Sequence, residues 1–312
     1  MASSGDRRAI VAALLANLGI ALAKFLGFLA TRASSMLAES IHSLADSGNQ
    51  ALLLLGGARA RRPADEEHHF GYGRERYFWS FIVAQVLFLL GGMFSLYEGI
   101  EKLRHPHELE SPGWAIGILA VAVVLESLSF RTAIRESRPL KHDASWAEFI
   151  RRSKSPELPV VLLEDLGALV GLVLALVAVS LAAITGSSMW DGIGTVCIGA
   201  LLLMIAVVLA IEMKSLLIGE AASDRDEAAM RAAIERHPSV RSLISLRTQH
   251  LSPDELLVAA KVEFDGTLTM RELADAIDEV EADIRRAVPA ARRLFVEPDI
   301  RRAVASIGGD PT

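Results

Sequence analysis

Six stretches of this chain are apolar for about as long as a helix needs to cross roughly 30 Å of hydrocarbon. They run over Ile10–Thr31, Met36–Gly57, Tyr77–Ile100, Trp114–Ile134, Leu158–Ile184 and Ile193–Ile211. Backbone polar groups find no water in lipid, so each stretch is expected to be a helix. After Glu212 the pattern changes. Asp224–His237 puts Ala229, Ala232, Ala233 and Ile234 on one side of a helix. Val240–Thr248 and Leu256–Phe264 alternate as strands do, with Ser252, Pro253 and Asp254 as the turn between them. Thr269 followed three residues later by Glu272 has the form of a capping box, opening a helix that runs toward Val288. Arg293–Val296 reads as a last short strand.

The predicted fold is a membrane-embedded all-α six-helix bundle over residues 1–212 with an α+β domain of order α-β-β-α-β over 213–304. About 90 residues suffice for a separate core. A tail over 305–312 is expected to fray.

Composition and charge sharpen this picture. The chain is 52% hydrophobic, too apolar for an ordinary soluble protein of 312 residues. Arginines and lysines crowd the segments 58–76 and 135–156, while the turns 32–35 and 185–192 carry only Arg32. Basic loops face the cytoplasm, so those two loops and both termini are expected there. The first apolar stretch exceeds a signal-peptide core and lacks a convincing cleavage site, so it is expected to stay in the protein. No basic run points to nucleic acid, and the single Cys197 offers neither a disulfide framework nor a thiolate site.

Two spans carry acids where hydrocarbon should be deepest. His42 and Asp46 lie four apart on the second, with Glu39 and Asn49 extending their polar stripe. Glu164 and Asp165 lie on the fifth. If the second helix starts at Ser35, Asp46 is about 16 Å in. If the fifth starts after an N-cap at Ser155, Asp165 is about 15 Å in from the opposite side. A charge at that depth costs several kcal/mol, roughly 2.5–3.5 on insertion scales, and marks function. One buried acid fits an interhelical hydrogen bond. Two acids and a His at matched depth, with no Lys or Arg nearby in either span, fit a bound cation or shared protons better. His with carboxylates suits a divalent metal. Glu126, mid-span in the fourth segment, is either a helix contact or part of an ion path. Gly167 and Gly171 form a small-xxx-small pair that admits a close neighbouring helix.

These residues resemble one family in particular. His42-Ser-Leu-Ala-Asp46 is similar to the second-helix signature of the cation diffusion facilitators. Pro63-Ala-Asp-Glu-Glu-His68-His-Phe-Gly-Tyr-Gly-Arg74-Glu is similar to their loop motif. Tyr77-Phe-Trp79, and Ser95-Leu-Tyr-Glu-Gly99 followed by His105-Pro106, resemble one branch of it. The resemblance covers nearly the whole chain and implies a homodimeric divalent-metal exporter of the bacterial inner membrane, working by proton antiport. Its C-terminal cytoplasmic domain would be ferredoxin-like and would dimerise.

The resemblance implies metal ligands at His42, Asp46 and Asp165, with Glu164 a further candidate. The family's usual fifth-helix His falls on Val161, in Val161-Leu-Leu-Glu164-Asp165, so one imidazole is missing. Zinc is the leading cargo, and manganese, iron(II) and cobalt stay open. The metal is cargo, and no permanent cofactor is expected. A second, loop site of the family uses an Asp and two His. Asp65 and His68 match, Tyr72 replaces the second His, and a weak or absent site is expected. The rival from another class is a membrane-anchored interaction module without transport. No nucleophile elbow, phosphate loop or His-Glu-x-x-His motif supports an enzyme.

Overall fold

The computed structural model describes residues 34–106, 112–141 and 145–301, with scattered positions from Leu14 to Leu29; the side chains of 34–42 and of Leu140 are not among them. The chain divides into two compact units, Met1–Leu217 and Ile218–Thr312.

In the first unit, α1 runs Ser34–Arg59. A helical rod follows over Glu75–Arg104. It comprises α2 (Glu75–Val86), a π-helical turn (Leu87–Met93) and α3 (Phe94–Arg104). Then come α4 (Pro112–Lys141), the short α5 (Trp146–Arg152), α6 (Glu157–Thr185) and α7 (Met189–Ile218).

Among the described residues, four helices are long and apolar enough to cross a membrane: the rod, α4, α6 and α7. The second expected span is a helix, α1, whose Glu39, Asp46 and Arg59 dilute its hydropathy. The first expected span falls where the scattered described positions are helical, and the expected tail lies outside the described residues. Large apolar side chains such as Leu89, Phe94, Val121 and Met204 stand exposed along these helices, as lipid-facing residues do.

Two local expectations needed adjustment. The third span is not uniformly α-helical, because a π-turn interrupts it at Leu87-Phe-Leu-Leu-Gly-Gly-Met93. Glycine opens that surface: a Cβ on Gly92 would stand 3.0 Å from Leu203 Cα of α7. The glycines let two backbones approach, and the wider π-turn shifts the side-chain register there. The fifth span begins one residue later than expected from an N-cap at Ser155. Pro156 occupies the N-cap position and makes no side-chain cap bond.

The Gly167 and Gly171 pair meets α7. A Cβ at Gly167 would press on Ile205 at 2.8 Å, and one at Gly171 would touch Ile198 at 3.5 Å. The core of the unit gathers Leu53 of α1, Tyr77 and Val83 of α2, Val160 of α6 and Leu209 and Met213 of α7.

The second unit has the expected α-β-β-α-β order: α8 (Asp224–Glu235), β1 (Val240–Ser252), β2 (Glu255–Phe264), α9 (Met270–Ala287) and β3 (Ala291–Pro298). β1 pairs antiparallel with β2, and β3 pairs parallel with β2 after the α9 crossover. The hairpin turn sits where Ser252 to Asp254 suggested, although β1 extends to meet it. Ser223 caps α8. Thr269 and Glu272 form the reciprocal capping box at the start of α9. Met230, Ile234, Leu256, Val258, Val280 and Ile284 fill a separate core between the helices and the sheet.

Candidate metal site

The two acids of α6 are consecutive, so they point about 100° apart and meet different neighbours. Glu164 turns to α1, where Asn49 Nδ2 donates to its Oε1 at 2.8 Å. Asp165 turns to α4, where Ser129 Oγ donates to its Oδ2 at 3.0 Å. Both carboxyls are deeply buried, at 6% and 4% exposure. The charges acting most strongly on Glu164 are those of Asp46, Asp165 and Glu126, and the charge acting on Asp165 is that of Asp46. All are acidic. Asp46, Glu164 and Asp165 are therefore within electrostatic reach of one another, with Glu126 at the edge of the group. Among the described residues no three His, Cys, Asp or Glu side chains close to coordination distance. His42 occupies α1 one turn before Asp46, and its side chain lies outside the described set.

Buried polar atoms without partners stand on the same two helices, α1 and α6. Glu164 Oε2, Asn49 Oδ1 and both amide atoms of Gln50 are buried and have no hydrogen-bond partner among the described residues. Sequence reading placed Asn49 on the stripe without a role and missed Ser129. The available signal for Ser129 was its position three residues after Glu126, on the same helical face.

At the first turns of α2 and α6, Arg76 forms a two-pronged ion pair with Glu157, Nε and Nη2 donating to the two carboxylate oxygens at 2.5 and 2.9 Å. Both side chains are about nine-tenths buried. Glu157 lies seven residues before Glu164, two turns along the same face of α6.

The loop 60–74 supplies its own partners for Asp65. The Tyr72 hydroxyl donates to Asp65 Oδ2 at 2.5 Å, and the backbone N–H groups of Glu67 and His68 donate to Oδ1 at 3.1 and 2.8 Å. These bonds, the Tyr72 hydroxyl foremost, hold the Asp65 carboxyl below its usual range, and the same Asp65 bond pushes the Tyr72 hydroxyl up. The tyrosine hydroxyl thus uses one acceptor position of the Asp65 carboxylate.

The chain matches two family models. The one described as the cation efflux transmembrane domain covers residues 10–218. The one described as the cation efflux protein cytoplasmic domain covers 222–299. The human proton-coupled zinc antiporter SLC30A9, mitochondrial, is 31% identical over 276 residues, 88% of this chain and 49% of that protein. Metal tolerance protein C4 of Arabidopsis thaliana is 28% identical over 268 residues, 85% of this chain and 59% of that protein. The cation-efflux pump FieF of Pectobacterium atrosepticum is 26% identical over 286 residues, 91% of this chain and 89% of that protein. The chain spans about half the length of the antiporter relatives it matches.

Proposed function

The chain belongs to the cation diffusion facilitator (cation efflux) family of integral membrane proteins, and on that premise we propose that it exports a divalent metal ion, zinc first, in exchange for protons. The ligands in this reading are His42, Asp46 and Asp165, with Glu164 completing the set. The observation that carries it is the acidic cluster at the meeting of α1, α4 and α6, tied across by the Asn49–Glu164 hydrogen bond. Three carboxyls in apolar surroundings cannot all stay ionised without a cation or protons to offset them. Alternating occupation by metal and protons meets that need. Metal ligands must be deprotonated, so a metal ion and protons compete for the same oxygens. His42 suits the competition, because imidazole titrates near neutral pH.

Counted from Ser34, the first described residue of α1, and from Glu157, the start of α6, Asp46 lies about 18 Å along its helix and Asp165 about 12 Å along its own. For helices entering from opposite faces of a roughly 30 Å hydrocarbon layer, both then reach one level, close to the midplane. Metal reaches the acids from the cytoplasmic side, exchanges its water for them, and is released outward as the helices rock. The C-terminal domain joins two copies into a homodimer, in keeping with the cytoplasmic-domain match. Both termini face the cytoplasm, and the residence is a bacterial inner membrane.

Because Val161 withholds an imidazole, manganese, iron(II) and cobalt remain in the range of cargo. Proteoliposomes given an acid interior should take up zinc, and to different extents the other three ions. An Asp46→Ala variant should lose uptake of all four. Unchanged uptake by Asp46→Ala would overturn the site. No uptake of any ion by the folded native protein would favour the anchored interaction module.

A further inference from the structure

Asn49 stands on the same face of α1 as His42 and Asp46, three residues past Asp46 and seven past His42. Its side chain is 2% exposed and reaches across to Glu164 of α6, itself 6% exposed. The contact uses one atom of each group: Asn49 Nδ2 donates to Glu164 Oε1 at 2.8 Å. The remaining atoms, Asn49 Oδ1 and Glu164 Oε2, are both oxygens, both buried, and both without a hydrogen-bond partner among the described residues. If the contact served only to hold two helices together, it would leave two acceptors stranded in an apolar interior. Two buried oxygens with free lone pairs, one on each member of a hydrogen-bonded pair, suit a cation.

Glu164 is three residues after Val161, on the same side of α6. The valine has no donor atom for a metal. The Asn49–Glu164 pair brings oxygen donors to the side of the site where the valine leaves none.

Building on the transport reading above, we propose that Asn49 is a metal ligand through Oδ1, while its N–H holds Glu164 Oε1 so that Glu164 presents Oε2 alone. One residue then performs two tasks: it donates an amide oxygen and it fixes how the carboxylate approaches. A site with an amide and three carboxylates beside one imidazole is harder than one with two imidazoles, and it favours oxygen-preferring ions such as manganese relative to zinc. Asp cannot replace Asn here, because a carboxylate has no proton to give Glu164 and repels it.

The test is calorimetric titration of the purified full chain with zinc chloride and with manganese chloride. Asn49→Leu should weaken manganese at least tenfold and zinc less, reversing or narrowing the preference between them. Asn49→Asp should bind both ions more weakly than native. Adding Val161→His to Asn49→Leu should restore zinc and leave manganese weak, since the imidazole takes over the vacant position. Unchanged affinities in a folded Asn49→Leu protein would overturn the proposal. An equal loss for both ions that Val161→His does not relieve would also overturn it, leaving Asn49 as a helix contact. Failure of the native chain to bind either ion would sink the transport reading and this inference with it, whereas native binding that Asn49→Leu leaves intact sinks the inference alone.

Discussion

Asp65 shows how a single replacement changes what a residue offers. Its carboxylate accepts the Tyr72 hydroxyl and two backbone N–H groups, so the turn is held by internal bonds. The Asp65 carboxyl is held below its ordinary 3.8, and this support is present above that value and lost as the pH falls through the lower, folded one. The Tyr72 hydroxyl is raised above its ordinary 10.0, so its support is present below 10.0 and lost as the pH rises through the higher, folded value. The turn should therefore be firmest between those two limits. Hydrogen exchange at the Glu67 and His68 amides reads this directly. Protection should fall in acid in the native chain, and Tyr72→Phe should lower it at neutral pH. Equal protection in Tyr72→Phe would show that the hydroxyl does not hold the turn. The replacement itself was legible: Tyr72 stands where the family resemblance places a second His. The hydroxyl's grip on Asp65 was not, because a motif names residue types and leaves their rotamers open.

At the scale of elements, the Arg76–Glu157 pair fastens the first turn of α2 to the first turn of α6. Removing Arg76 takes the guanidinium from a Glu157 carboxylate that is about nine-tenths buried. That costs about 3–5 kcal/mol, whereas replacing both with apolar residues of similar size is often neutral or stabilising. Thermal unfolding in detergent should therefore rank Arg76→Met well below native, with Glu157→Leu added to it recovering most of the loss. Additive losses would mean that the two charges do not depend on each other. Hydropathy alone located these helices, since a span must be long and apolar wherever it packs. It did not locate their joints. Arg76 read only as one more basic residue of the 58–76 segment, and Glu157 drew no reading. The Asn49–Glu164 bond joins positions 115 apart in the chain, and nothing in local periodicity marks such a pairing. The π-turn at Leu87–Met93 was hidden for a similar reason: its composition is that of any apolar span, and the close approach of Gly92 to Leu203 is a tertiary event. The Thr269–Glu272 capping box was legible because both partners lie within one turn.

Across the whole molecule, the division of labour follows from where ionisable groups sit. The membrane unit gathers its unusual acids at α1, α4 and α6, among helices whose outer faces are apolar. The C-terminal unit builds its own core and carries surface ion pairs such as Arg285 with Glu281 and Lys261 with Glu297. Exposed pairs of this kind contribute little stability. Exchange of metal for protons at the buried acids is the property that most directly connects the sequence pattern to function. Proteoliposomes of the native chain and of Asp165→Ala, loaded with a zinc indicator and a pH indicator, would be given external zinc with no imposed pH gradient. In native vesicles the lumen should turn alkaline in step with zinc arrival, and both signals should vanish in Asp165→Ala. Zinc arriving without any proton movement, or arriving equally fast through Asp165→Ala, would contradict metal–proton exchange at this site.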